Sequence, residues 1–241
     1  MNSKEVFPGM VITRHKCALI HESMVIADLH IGYEAALESE GIHIPRMQTA
    51  AMRESLIGLI DRYEPETIVV LGDLKHEFSR NLDQEWEEVH DLLSMMLEWA
   101  QVILVRGNHD NYLANISSRM NIPLVDSMIL NGITLAHGHQ PCSSTPLLMA
   151  HEHPSIRLFD TVGAFIKLPC FLYDQERRIV VMPAFSPLAT GTDMTVAGSD
   201  DFLSPILRGS RMETLGVYAC SEIGLLDLGE LSNLRSLDRG D

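Results

Sequence analysis

The chain has 241 residues, of which 46% are hydrophobic, enough for a sizeable core and one large α/β domain. Its formal net charge of −15 argues against coating of nucleic acid by a basic face, although a metal site can differ in sign from the whole. No apolar run reaches the roughly 18 residues needed to span a membrane, and residues 1–10 carry no apolar stretch of signal-peptide type, so a cytoplasmic protein without a membrane partner is expected.

In chain order, apolar runs at 18–20 and 24–27 flank His21-Glu22-Ser23 and predict a hairpin ending at Asp28. Residues 47–63 place Met52, Leu56, Leu59 and Ile60 at one-faced helical spacing, and Pro65 helps to stop that helix. The β-branched run 67–71, closed by Gly72, predicts a buried strand. A second amphipathic helix is expected over 83–100. Leu92, Leu93, Met96 and Trp99 lie on its inner side, and Glu85, Glu87, Glu88 and Asp91 form a solvated face. Residues 102–105 predict another buried strand, ending at Arg106-Gly107-Asn108, and 111–120 another helix.

From Leu124 onward strands predominate, at 128–130, 133–136, around 147–149, 164–167 and 179–182, with Asn131-Gly132 a strong hairpin signal. Residues 183–212 are rich in Pro, Gly, Ser, Thr and Asp and are expected to form a long loop or small cap; 217–220 and 224–228 form a final strand pair. No composition break divides the chain, so 1–241 is read as a single domain. Cys17, Cys142, Cys170 and Cys220 form no C-x-x-C pair, which argues against a zinc ribbon or disulfide framework and for reduced thiols.

Several strands end in the same way, with an apolar run followed by residues able to bind metal. Ile26-Ala27 leads to Asp28-Leu29-His30, and Val70-Leu71 to Gly72-Asp73. Leu104-Val105 leads to Gly107-Asn108-His109-Asp110, and Ala136 to His137-Gly138-His139, while a fifth segment gives His151-Glu152-His153. Sites in open α/β sheets form at the carboxyl ends of strands, so these ends would share one crevice. Asp-x-His and His-x-His put two side chains on one side of an extended segment. Seven of the eleven histidines fall in or beside these motifs. His15, His21, His43 and His90 are read as structural. Asp110 is read chiefly as a cap of the following helix, and Lys75 as either a phosphate contact or a solvated lysine. Arg46 and Arg106 are left without a role.

Taken together, these motifs resemble those of the calcineurin-like metallophosphoesterases, in the same order and spacing across residues 28–153. Asp-Leu-His-Ile-Gly-Tyr-Glu (28–34), Gly-Ile-His-Ile-Pro (41–45) and Gly-Asp-Leu-Lys-His (72–76) further resemble a narrower group. It comprises archaeal phosphoesterases related to the SbcD nuclease and bacterial counterparts associated with DNA ligase. One departure is Ala150, which stands where the usual Gly-His-x-His has its glycine. The resemblance implies an α/β fold, a four-layer αββα sandwich with the metal site at the carboxyl ends of the strands. It also implies two divalent ions, the first on Asp28, His30 and His153, the second on Asn108, His137 and His151, with Asp73 bridging. His109 would ligate neither and would serve as general acid, while His76 and His139 are candidate substrate contacts. Mixed imidazole and oxygen donors suit borderline ions such as Mn²⁺, Fe²⁺ or Zn²⁺ better than an all-oxygen Mg²⁺ cage, and Mn²⁺ is the ion expected.

The activity implied is phosphoester hydrolysis by a hydroxide activated between two metals, with DNA or RNA as the expected substrate. A phosphomonoesterase or protein phosphatase is the alternative on the same core. A metal-poor scaffold of the same fold is a third reading, which the intact ligand set disfavours. Aromatics make up only 6% of the chain and no run interleaves them with Lys or Arg, so a DNA-processing partner is expected to help grip single-stranded nucleic acid.

Overall fold

The protein is described by a computed structural model covering residues 1–76, 83–160 and 162–238. Its first sheet runs in sequence order through β1 (Ser3–Phe7), β2 (Met10–Thr13), β3 (Ala18–Ile20), β4 (Ser23–Ile26), β5 (Thr67–Leu71), β6 (Gln101–Val105) and β7 (Leu124–Val125). From β4 to β7 neighbouring strands are parallel, so their carboxyl ends lie along one edge. Because side chains alternate along a strand, Ile68 and Val70 face one layer while Val69 and Leu71 face another. That double burial explains why β4 and β5 read as unbroken apolar runs.

The outer face of this sheet is covered by α2 (Gln48–Tyr63) and α3 (Asp83–Leu97), with α1 (Tyr33–Ser39) and α4 (Leu113–Met120) in the connections. Met52, Leu56 and Leu59 of α2 and Leu92, Leu93 and Met96 of α3 join one core, each fully buried side chain contributing roughly 1.5–3 kcal/mol. Two expectations need correction. α3 stops at Leu97, so Trp99 lies past its last turn and is 59% exposed rather than inward-facing. α4 begins at Leu113, not residue 111, after Tyr112 in the capping position. Among the α3 acids, Glu87 and Asp91 are exposed and Glu88 is half-buried, accepting from Thr49 Oγ1; the Glu85 side chain lies outside the described residues.

The second sheet contains β8 (Ser127–Leu130), β9 (Ile133–Ala136), β10 (Leu147–Met149), β11 (Pro154–Phe159), β12 (Phe165–Asp174), β13 (Ile179–Val181), β14 (Thr192–Asp193), β15 (Gly216–Ser221) and β16 (Gly224–Glu230). β9, β10 and β13 are mutually parallel and end at the same edge as β4 to β6. β12 is ten residues long, running well beyond 164–167, because sheet pairing continues through Lys167 and Pro169, which break the apolar pattern. Leu135, Leu148, Phe171 and Val180 pack against Val25, Val69 and Leu71 to form the layer between the sheets. On the far face, residues 183–214 supply β14 and three single-turn 3-10 helices. Met194, Phe202, Leu207 and Met212 pack there with Leu231 of α5 (Leu231–Asp238). The result is the four-layer sandwich expected from the resemblance. All four cysteines are free, and burial pushes the Cys17 thiol up to about 11. Among the described residues no helix is long and apolar enough to cross a membrane.

Candidate metal centre

The segments leaving β4 and β5 are zipped together by backbone hydrogen bonds. Asp28 N–H donates to Gly72 O, His30 N–H to Asp73 O and His76 N–H to Ile31 O. Asp28, His30, Asp73, His151 and His153 all have left-handed backbones, with φ between 42° and 71°. Such a conformation costs an L-residue roughly 1–2 kcal/mol, and it concentrates at functional sites. This corrects the reading of Asp-x-His and His-x-His as extended pairs. Their side chains converge because the chain turns sharply at each residue after the strand has ended. Two glycines make the crowding tolerable: a Cβ on Gly72 would lie 2.0 Å from His137 Nδ1, and one on Gly107 2.1 Å from Asp73 Oδ1.

Two donor groups result. Asp28, His30, Asp73 and His153 each bring a ligand atom within 4.8 Å of the others, and so do Asp73, His137 and His151. Asp73 belongs to both. Within the first group His30 Nε2 stands 3.3 Å from His153 Nε2, and His153 Nε2 3.2 Å from Asp28 Oδ2. Within the second, His137 Nε2 lies 3.3 Å from Asp73 Oδ2 and 3.1 Å from Asn108 Oδ1, which brings Asn108 to the same point. Leu71 O accepts from His137 Nδ1 at 3.2 Å, so the lone pair of the neutral ring is on Nε2.

The electrostatics describe a cluster short of positive charge. Burial lowers the His137 pKa, but the Asp73 hydrogen bond and the Asp28 and Asp73 charges outweigh it and push the ring up to about 9. Burial likewise opposes protonation of His153, and Asp28 raises it overall. Its neighbour His30 shifts the other way, down to about 4 through burial. Burial also takes His151 down to about 4. For Asp73, burial raises the pKa, but His137 holds the carboxylate well below its usual range. Asp28 Oδ1 is buried without a hydrogen bond. Converging imidazole lone pairs, two carboxylates and an orphaned carboxylate oxygen fit divalent cations. Chelation with EDTA is expected to lower the melting temperature by about 10–20 °C in differential scanning fluorimetry. Each ion at 100 times its Kd adds about 2.7 kcal/mol, and 1 kcal/mol moves Tm by about 2–4 °C at this length. An unchanged Tm would mean that the cluster binds no metal.

His109 sits over Asp73. Its backbone N–H donates to Asp73 Oδ1 at 2.9 Å, and its Nε2 is 4.0 Å from Asp73 Oδ2. The ring Nδ1 is 2.7 Å from His76 O, which can only accept, so Nδ1 carries a proton and Nε2 is left for exchange. His76 itself lies beside the centre, its ring 4.0 Å from that of Tyr33 and 5.5 Å from that of His30. His139 lies 5.2 Å from His137 and 6.1 Å from His151, ring to ring.

Other residues hold this arrangement in place. Asp110 does not cap α4; its carboxylate accepts from Gly107 N–H at 2.8 Å and Lys75 N–H at 3.4 Å, clamping the 107–110 turn to the end of β5. Burial, reinforced by the Asp73 charge, raises its pKa to about 6. Lys75 is buried, which removes the solvated reading. Arg46 pairs with Glu38 and Arg106 with Asp126. Two residues escaped the sequence reading. Gln48 Nε2 donates to Leu29 O, His30 O and Ser186 Oγ, and Glu152 accepts from Leu203 and Ser204 N–H, tying the 183–212 segment to the turn between His151 and His153. A Glu flanked by two candidate ligands was the available signal for the second; a glutamine opening a helix gave none.

A model of the calcineurin-like phosphoesterase family matches residues 23–203. The chain belongs to that family. As a calcineurin-like phosphoesterase it is a metal-binding phosphoester hydrolase, and the donor cluster just described is its candidate centre. Its fold is similar to the crystal structure of Pseudomonas putida nuclease MPE, with a TM-score of 0.67, 22% identity and coverage of 91% of this chain and 94% of that one. The phosphoesterase YfcE from E. coli is more distant, at a TM-score of 0.41 and 16% identity over 88% of this chain and 94% of that one. No curated protein matches the chain.

Proposed function

We propose that this phosphoesterase is a phosphodiesterase that cuts single-stranded nucleic acid. The observation that carries the reading is Asp73, shared by two donor groups with His109 Nε2 beside it. Asp28, His30, His153 and Asp73 would hold one divalent ion and Asp73, Asn108, His137 and His151 the other, with Mn²⁺ proposed and Fe²⁺ or Zn²⁺ equally compatible with these donors. When bound, such ions supply Lewis acidity to the phosphoryl oxygens and to the attacking water. With Asp28 and Asp73 ionised the loaded site is about +2, enough to draw phosphate into a chain of net charge −15. In its doubly protonated form His109 gives the Nε2 proton to the leaving oxygen and keeps the Nδ1 proton, through which His76 O orients the ring. Support for nucleic acid comes from the motifs at 28–34, 41–45 and 72–76, which extend past the ligands, and from the shared fold of the Pseudomonas putida nuclease.

The test is a substrate panel with Mn²⁺. Bis-p-nitrophenyl phosphate should be hydrolysed and a labelled single strand nicked, and neither by Asp73→Asn, which controls for contaminating phosphatases. Turnover of p-nitrophenyl phosphate alone would favour a phosphomonoesterase or protein phosphatase. Absence of bound metal at saturating Mn²⁺ would favour the scaffold.

A further inference from the structure

Beside the metal centre lies a cleft of about 1120 Å³, larger than the roughly 300–1,000 Å³ typical of a site for one small ligand. Topology places it on the same edge of the sandwich. The turn between β2 and β3 carries Arg14 and Lys16, and Ala18 pairs with Val25, so that turn projects beyond the carboxyl end of β4, as Asp28 does. β12 is antiparallel to β13 and β15 to β12, which brings Leu168, Pro169 and the turn at Glu222-Ile223 to that edge too. α2 forms the remaining wall, with Arg62 in its last turn.

Cleft and centre share a partition. Phe185 N–H donates to Ala27 O and Ser186 N–H to Asp28 O, while Lys16 Nζ donates to Phe185 O from the cleft side at 2.5 Å. The cleft is also where cations gather in an otherwise acidic protein. Arg14, Lys16 and Arg62 line it against Glu54 and Glu222, with His15 accepting from Arg14 Nε at 3.3 Å. No ion pair among the described residues involves any of the three. The Arg14 guanidinium holds Glu222 O and keeps other donors in hand, since it has five. The remaining surface is apolar, with Ile223 85% and Ile166 56% exposed at the rim.

From this geometry we infer that the cleft holds the nucleotides flanking the scissile phosphate of a single-stranded substrate. Backbone phosphates lie on Arg62 and Arg14 and base faces on the apolar walls. A cationic groove with bases stacked on aromatic side chains is the general means of holding single strands without reading sequence, and Phe185 is the aromatic wall here beside aliphatic ones. A small anion would leave most of the cleft empty, and an acidic partner protein would not need a cleft separated from the Asp28 turn only by the Phe185 segment. The inference rests on the nucleic-acid reading above.

The test compares Mn²⁺-loaded wild type, Arg62→Glu and Ile223→Asp, both substitutions at solvent-facing positions. The ratio of kcat/KM for a labelled single-stranded 20-mer to that for bis-p-nitrophenyl phosphate should fall at least tenfold in each variant. For Arg62→Glu, the slope of log kcat/KM against log salt for the 20-mer should become shallower by about 0.7, the share of one lost phosphate contact. If wild type cuts the 20-mer but ratio and slope stay at wild-type values in the variants, the cleft is not the strand path and the nuclease reading survives. If wild type hydrolyses the small diester and no oligonucleotide, both ideas fall together.

Discussion

Asp73→Asn is expected to lower kcat/KM on bis-p-nitrophenyl phosphate by on the order of 10³-fold or more, equivalent to about 4 kcal/mol of barrier. Both carboxylate oxygens are committed: Oδ1 accepts from His109 N–H at 2.9 Å and Oδ2 faces His137 Nε2 at 3.3 Å. An amide keeps the shape, but it removes the charge and turns an N–H₂ toward either a donor or a would-be ligand. Because Asp73 belongs to both donor groups, the loss is shared, and bound Mn²⁺ should fall from two per chain to one or fewer. A variant that keeps two ions and a tenth or more of wild-type activity would remove Asp73 from its bridging place.

His109→Ala is the second large effect, and it separates chemistry from metal binding. His109 presents Nε2 toward the centre while its Nδ1 is engaged by His76 O, so its loss deletes a proton donor without deleting a ligand. Turnover of an oligonucleotide is expected to fall about 10²–10⁴-fold with metal content unchanged. Bis-p-nitrophenyl phosphate should lose less, because nitrophenolate departs without needing a proton. Equal losses on both substrates, or a drop in bound Mn²⁺ by elemental analysis, would contradict the general-acid role.

How much of this was legible in the sequence depends on how local each signal is. The apolar runs of β4, β5 and β6 and their polar ends are contiguous, so the strands and the residues now seen around Asp73 were readable directly. The conformation that makes those residues converge was not. Left-handed backbones at Asp28, His30, Asp73, His151 and His153 are imposed by the packing of two sheet ends and leave no periodic trace. β1 and β2 were missed because β1 is half exposed and carries Lys4 and Glu5, which blur its alternation. Asp110 looked like a helix cap from its position before α4, yet its amide partners include Lys75, thirty-five residues earlier. The basic cleft was invisible for the same reason. Arg14 and Arg62 are far apart in sequence, and only the fold brings them to one cleft.

The most direct measurement is anomalous diffraction at the manganese edge from crystals grown with Mn²⁺. The account predicts two peaks per chain, one among Asp28, His30, Asp73 and His153, the other among Asp73, Asn108, His137 and His151. A single peak, or peaks that leave Asp73 in contact with only one ion, would contradict a shared two-metal centre.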